Sequence, residues 1–234
     1  MLNIITATYN CEDTIEKSIL SVLSLNTQIN YIIIDGISTD NTLNIIKKYS
    51  SSIDHLISEN DNGIYDAWNK ALNFTKKGWV IFLGSDDYII RENFSSLISS
   101  LDENFTNYDL ICSQCMLIDK NGHYKSTFGE DFDAGKIKRY MCVANPSILY
   151  NTNLFKRRIF NTQYKICSDY EFLINNANIK SFYNPSSITK MTAGGKSNTL
   201  AAVIETFQIR TGYIPFYLNL YLSFKALIIT FYNK

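Results

Sequence analysis

Three sets of aspartates in this chain stand where a carboxylate is costly to keep. Asp35 closes the apolar run 31–35, the pair Asp86 and Asp87 follows the apolar run 79–84, and Asp169 opens a segment with helical spacing. A carboxylate at the end of a buried strand has to be offset by a ligand, a metal or fixed donors. Adjacent carboxylates repel, and both stay ionised only where a cation or donors compensate. A hard divalent cation is the simplest compensation. Magnesium or manganese takes one or two carboxylates together with phosphate oxygens, which describes a nucleoside-diphosphate site. Asp86 and Asp87 could equally cap a helix near Asn93 or shape a turn, and the pair alone does not choose.

Other phosphate chemistries fail on spacing. Gly194, Gly195, Lys196 and Ser197 look like the end of a P-loop, but the earlier glycine it requires would fall at Lys190, with no first strand ahead of it. A dinucleotide fingerprint needs spaced glycines after the first strand, where this chain has Thr6, Ala7, Thr8, Tyr9 and Asn10. The two histidines, His55 and His123, give little material for a Ser/His/Asp triad or a histidine-ligated metal. Cys112 and Cys115 form a CxxC without a second pair, inside a run that reads as a strand, so both are expected to be core thiols.

The elements that must position these residues are an α/β set. Runs 2–7, 31–35, 55–58 and 79–84 have the length of buried strands. Between them lie helical segments. The first carries Ile15, Ile19, Val22 and Leu23, with Asn10 as N-cap and Asp13 three residues on; the second starts near Ser38 or Thr39 and carries Leu43 and Ile46. The third covers 64–74 with Ala67, Ala71 and Phe74 inward, and the fourth covers 93–101. Right-handed β-α-β crossovers bring the strand C-termini to one edge, where open α/β sheets bind ligands. Asp35 and the Asp86/Asp87 pair would then share that edge. After residue 108 the pattern shifts to strands at 109–118 and 124–128 around a turn at Lys120, Asn121 and Gly122. A helix after Asp169 (Tyr170, Phe172, Leu173, Ala177) and another at 200–210 follow. We expect one domain over 1–211, in halves 1–108 and 109–211, and an apolar tail at 212–234.

Composition narrows the partners. Lys plus Arg and Asp plus Glu are each 22, so no net field draws the chain to nucleic acid. Five cysteines without a framework suggest reduced thiols in a cytosolic setting. The first residues carry no basic stretch of a secretory signal, so the protein is expected inside the cell.

Taken together, these residues resemble the family 2 glycosyltransferases of the GT-A fold over about residues 1–200. Ile4 to Asn10 looks like the family's first strand and base-binding turn. Asp35, Gly36, Ser38, Asp40 and Thr42 resemble its DGSxDxT segment. Glu59, Asp61, Gly63, Ile64, Tyr65, Asp66, Ala67 and Asn69 resemble the DxGIYDAxNKA stretch of a bacterial polysaccharide branch, and Ser85, Asp86 and Asp87 its DxD-type metal motif. The resemblance implies a nucleotide-sugar site formed by Thr6, Ala7, Tyr9, Asp35, Asp61 and Asp86, with Asp87 ligating Mn2+ or Mg2+. It also implies that Asp169 is the base that takes the acceptor's proton. Asp169 or Ser168 could instead be an N-cap, and Glu171 is a second candidate base. A single base without a covalent partner implies inversion. The donor would be a UDP-sugar and the acceptor a saccharide carried on a polyprenyl diphosphate, as in O-antigen or capsule assembly.

Two places depart from the resemblance or extend it. Asn145, Pro146 and Ser147 stand where many relatives have a histidine, and Gly194 to Ser197 resembles a loop that closes over the donor. The tail from Tyr213 to Tyr232 is apolar and aromatic but interrupted by Pro215, Asn219 and Lys225. That composition suits a segment lying in the membrane interface better than a span; packing on the domain or a dimer contact is the alternative. The site would then face the inner surface of the cell membrane. Rival functions are an inactive sugar-nucleotide-binding scaffold, disfavoured by the intact aspartates, and a nucleotidyltransferase, which needs basic residues that 6–10 does not offer.

Overall fold

A computed structural model describes residues 1–101, 105, 107–176, 178–195 and 199–232, with side chains through 230. Its first strands are continuous apolar runs flanked by helices on both faces, as buried parallel strands require. They are β1 (Leu2–Thr8), β2 (Ile29–Asp35), β3 (His55–Ser58) and β4 (Trp79–Gly84). The crossovers are α1 (Ile15–Leu23), α2 (Thr42–Lys47) and α3 (Ile64–Leu72). β5 (Tyr88–Ile89) and α4 (Arg91–Ser100) follow. β6 (Leu110–Ile118), β7 (Tyr124–Phe128), β8 (Ile148–Asn151), α5 (Ser168–Ile174), β9 (Ser181–Thr192), α6 (Leu200–Arg210) and α7 (Phe216–Tyr232) complete the described chain.

One mixed sheet runs in the order β3-β2-β1-β4-β8-β6-β9-β5, with β7 paired to β6. β1 lies parallel between β2 and β4, with Thr8 level with Asp35 and Ala7 level with Gly84. The two strand ends that carry the aspartates are thereby brought to the same height on either side of β1. Alternation along the strands fills two cores. Ile4, Tyr31, Ile33, Ile81 and Leu83 pack with Ile15, Ile19 and Val22 of α1 and Phe94 of α4. Ile5, Ile32, Ile34, Val80 and Phe82 pack with Tyr65, Trp68 and Ala71 of α3 and with Tyr150, Phe160 and Phe172 from the later chain.

Several expectations are corrected. Asn10 is not the cap of α1, which starts after Thr14; it adopts φ 48° and its Oδ1 accepts from Thr39 N at 2.8 Å. α2 begins at Thr42 rather than near Ser38, because Ser38 gives both its N–H and its hydroxyl to Asp35. Phe74 lies beyond α3, 37% exposed, with its ring 4.9 Å from His55. The short strands β5 and β8 and the long β9 carried no signal of their own. β9 contains Pro185, accommodated where the register with β6 shifts between Ser113 and Gln114, since proline cannot donate to the ladder. Cys112 and Cys115 are buried on β6 and their thiols are pushed up to about 12 by burial, as core thiols. Ala177, expected on the helix after Asp169, lies outside the described residues.

Phe82 joins the two parts of the chain. Its ring sits 4.7 Å from Trp68, 5.1 Å from Phe160, 5.6 Å from Phe155 and 5.7 Å from Tyr150. Phe82→Ala should cost about 3–5 kcal/mol through lost transfer energy and a residual cavity, read as a lowered urea midpoint.

Candidate active site

The turns after β1 and β2 are stitched together by Asp35. Fully buried, it accepts from Thr8 Oγ1 at 3.0 Å and Ser38 Oγ at 2.5 Å through Oδ1, and from Ser38 N at 3.0 Å and Ser58 Oγ at 2.8 Å through Oδ2. A carboxylate offers about four lone-pair sites, and all are taken. Further bonds lace the two loops: Asn10 N to Ser38 Oγ at 2.9 Å, Cys11 N to Thr42 Oγ1 at 2.8 Å and Glu12 N to Asp40 Oδ2 at 3.1 Å. Asn10 and Ile37, at φ 48° and 59°, are the positive-φ non-glycine residues among those described. Such strain persists only where surroundings over-determine it, and it gathers at functional sites.

Gly36 brings Asp61 and Tyr9 together beside these loops. A Cβ at Gly36 would stand 2.6 Å from Asp61 Oδ2, so the missing side chain is what lets Asp61 approach, while Tyr9 Cδ2 lies at an ordinary contact distance of 3.5 Å. Tyr9 is 63% exposed, leaving most of its ring uncovered beside the glycine. Asp61 Oδ1 accepts from Gly63 N at 2.8 Å and so turns the chain into α3. Thr6, expected to line the nucleotide site, is buried with its hydroxyl 3.4 Å from Tyr31 Oη; β1 points that side chain into the core. Ala7, the next residue, is partly exposed.

Asp86 and Asp87 occupy the turn after β4. They do not cap α4, whose preceding residue is Ile90 and which has no side-chain cap. Asp87 is 5% exposed; Oδ2 accepts from Gly84 N at 3.1 Å, while Oδ1 is buried without a hydrogen-bond partner. Burial first, and the Asp86 charge second, push its carboxyl up to about 8. A Cβ at Gly84 would lie 2.6 Å from Asp87 Oδ2 and 3.1 Å from Asp86 Oδ1, so the strand must end in glycine for both carboxylates to fold back. Among the described residues no group of three or more potential ligands gathers. A cation here would take most of its ligands from phosphate and water, as magnesium and manganese do. The orphaned, high-pKa Oδ1 fits that role.

Asp169 sits in the first turn of α5, partly buried, after Cys167 at the N-cap position. It is not a cap. Its Oδ1 accepts from Tyr65 Oη at 2.8 Å and Tyr170 N at 2.9 Å. Burial raises its carboxyl above the ordinary range, and the Tyr65 hydroxyl pulls it back. Since α3 leaves the site edge at Gly63, the Tyr65 contact brings Asp169 to the edge that holds Tyr9, Gly36 and Asp61. Glu171 pairs with Arg158 and accepts from Asn175 Nδ2 at 3.1 Å through Oε1, while its Oε2 is buried without a hydrogen-bond partner. Asn145 accepts from Tyr150 Oη at 2.8 Å. Gly194 has φ 98°, and Lys196 and Ser197 lie outside the described residues.

Sequence reasoning assigned no role to Tyr65, Gly84 or Glu205. Tyr65 stood within a quoted motif, and Gly84 ended a strand, but neither position disclosed its contacts. Glu205 had no signal: its carboxylate accepts from Lys165 N, Ile166 N and Cys167 N at 2.8–2.9 Å, some 40 residues away in the chain.

Residues 3–170 match the family described as Glycosyl transferase family 2. The chain belongs to that family. A PGL/p-HBAD biosynthesis glycosyltransferase of Mycobacterium bovis is 26% identical over 212 residues, covering 85% of this chain and 77% of the relative. An Escherichia coli UDP-Glc:alpha-D-GlcNAc-diphosphoundecaprenol beta-1,3-glucosyltransferase, WfaP, is 36% identical over 115 residues, 46% of each chain. Among solved structures, Staphylococcus aureus TarS 1-349 in complex with UDP-GlcNAc superposes with a TM-score of 0.71 at 21% identity. That superposition covers 89% of this chain, which spans 64% of the TarS fragment. The protein is a family 2 glycosyltransferase with the GT-A fold.

The raised Asp87 carboxyl makes a pH prediction for this glycosyltransferase. A carboxyl whose folded pKa lies above its unfolded value contributes stability at low pH that is lost as pH rises toward the folded value, here from about 4 to about 8. Without divalent cation, Asp87→Asn should therefore unfold several degrees above the parent at pH 8 and close to it at pH 4. Thermal scans at the two pH values check this.

Proposed function

We propose that the protein is an inverting, metal-dependent glycosyltransferase that moves a hexose or N-acetylhexosamine from a UDP-sugar to a lipid-linked saccharide in surface polysaccharide synthesis. The observation that carries this reading is the buried, unpartnered Asp87 Oδ1, one strand away from the turn where Tyr9 and Asp61 meet at Gly36. In this reading residues 1–108 form the donor half and 109–211 the acceptor half. The exposed Tyr9 ring stacks on the base, and Asp61 Oδ2 accepts from its N–H. Asp35, with its lone pairs taken, holds the turn that shapes this pocket. Asp86 lies at the ribose. A bound Mn2+ or Mg2+ on Asp87 would supply Lewis-acid stabilisation of the leaving diphosphate's charge.

Asp169 then removes the acceptor hydroxyl's proton as the acceptor oxygen bonds to the anomeric carbon and the anomeric carbon–diphosphate bond breaks. One displacement inverts the centre, so an α-linked donor gives a β-glycoside. The E. coli relative named for a diphosphoundecaprenol acceptor and the TarS complex named for UDP-GlcNAc support the acceptor and donor classes. UDP should bind by calorimetry only with Mn2+ or Mg2+, and Asp87→Ala should abolish that binding. Asp169→Asn should keep it while turnover falls about 10²–10⁴-fold. Metal-independent binding, or none, would overturn the nucleotide-metal assignment.

Membrane attachment through α7 belongs to the same proposal. Among the described residues no helix is long and apolar enough to cross a membrane. α7 is instead polar toward the protein and apolar toward solvent. Asn219 and Ser223 are buried, bonded to Phe207 O at 2.9 Å and Arg210 Nη2 at 2.7 Å, whereas Phe216, Tyr217, Leu220, Tyr221, Phe224 and Ile228 are exposed. Lys225 shares the exposed face and α7 has no acidic residue, which complements an anionic lipid surface. The protein should float with phosphatidylglycerol vesicles, and Phe216→Ser with Phe224→Ser should prevent it. Flotation that survives both changes, or a dimer that they dissociate, would overturn the lipid assignment.

A further inference from the structure

The peptide before α5 is clamped from two sides. Ile166 N donates to Glu205 Oε2 of α6 at 2.9 Å, and Ile166 O accepts from Tyr65 Oη of α3 at 2.6 Å. Glu205 also takes the amides of Lys165 and Cys167, and Lys165 Nζ reaches back to Asn62 O at 2.8 Å. Three residues beyond the clamp comes Asp169, whose Oδ1 lies 2.8 Å from the same Tyr65 oxygen. Tyr65 itself is held rigidly, 4% exposed, with its ring 5.2 Å from Trp68 and 5.5 Å from Phe160.

A phenol has one proton, and Tyr65 offers it two acceptors. Ionised, Asp169 is the stronger acceptor, because hydrogen bonds to charged groups are roughly twice as strong as neutral ones. Protonated, Asp169 loses that advantage and Ile166 O can hold the proton instead. The hydroxyl therefore has a resting place in either protonation state of the carboxyl. Backbone amides of Tyr170 and Asp169 also favour its charge, but the other side chains facing it do not: Glu205 from α6 raises its pKa, and Tyr150 from β8 and Cys167 from the preceding turn are neutral acids that feel its charge. Among the described residues no cation offsets them. Tyr65 is thus the side-chain donor that Asp169 has.

We infer that Tyr65 is a positioning residue for the base: its phenol, anchored at the clamped Ile166 peptide, aims the Asp169 carboxylate and holds it ionised for proton removal. This rests on the reading of Asp169 as the base. Its consequence is that the base is set by a side chain of α3, the helix that begins at the base-pocket turn of Asp61 and Gly63. The donor half thereby sets the direction of a group carried by the acceptor half.

The test is a carboxyl 13C NMR titration of the full chain labelled at aspartate, with the Asp169 signal identified by its loss in Asp169→Asn. Tyr65→Phe keeps the ring and its packing and removes the hydroxyl. Losing a charge-assisted hydrogen bond should raise the Asp169 midpoint by about one pH unit. The acid limb of turnover should move up with it, with UDP binding near the parental value and the thermal midpoint lowered, because Ile166 O loses its donor as well. An Asp169 midpoint unchanged in Tyr65→Phe overturns the inference whatever the base proves to be. Turnover retained in Asp169→Asn overturns the base reading, a result distinguishable from the first, and the inference with it.

Discussion

A carboxylate at the end of a buried strand has to find donors or a counter-charge, and β2 and β4 meet that demand in opposite ways. Asp35 is satisfied internally by four hydrogen bonds from Thr8, Ser38 and Ser58, which fixes the turns of β1 and β2 against each other. Asp87 is left with one oxygen unpartnered and a carboxyl raised to about 8. The first aspartate ties two turns together and the second keeps an unpartnered carboxyl oxygen at the same edge. The parallel register of β1 with both strands sets the two at the same height.

Glycine makes both arrangements sterically feasible. At Gly36 it admits Asp61 beside Tyr9, and at Gly84 it admits two carboxylates to one turn. In each case the close neighbour is a side chain that chemistry needs, so the substitution cost is paid at the site rather than in the fold. These are close approaches, not requirements for positive φ.

Asp169 reaches the same edge by a different route. α5 follows a loop without regular structure, and its position depends on α3 and α6 gripping the Ile166 peptide. Phe82, Trp68, Tyr150, Phe155 and Phe160 form an aromatic seam beneath it, drawn from both parts of the chain. Side chains in such a seam sit in fixed rotamers, which gives the catalytic groups above it a stiff foundation. α7, by contrast, presents its apolar face outward and ties itself to the body through Asn219, Ser223 and the buried Arg210.

The order of the early strands, the edge at which Asp35, Asp86 and Asp87 lie, and the helical setting of Asp169 were legible in the sequence. Buried parallel strands are unbroken apolar runs and their crossovers are strongly periodic, so local pattern and burial agree there. β8 and β9 were not legible. One is short, and the other carries Pro185 and polar residues, so each is a strand because distant strands offer partners on both sides, β4 and β6 for β8 and β6 and β5 for β9. Asn10 read as a helix cap because cap chemistry is local, whereas its real partner Thr39 belongs to the next crossover. The sequence likewise marked Asp169 as a candidate base without saying what would aim it. Tyr65 and Glu205 lie 104 and about 40 residues from the segment they hold, and only packing of α3 and α6 against α5 brings them there. Residue types and strand ends determined where charge would gather; tertiary contacts decided which oxygens were already spoken for, because hydrogen-bond satisfaction depends on neighbours in space.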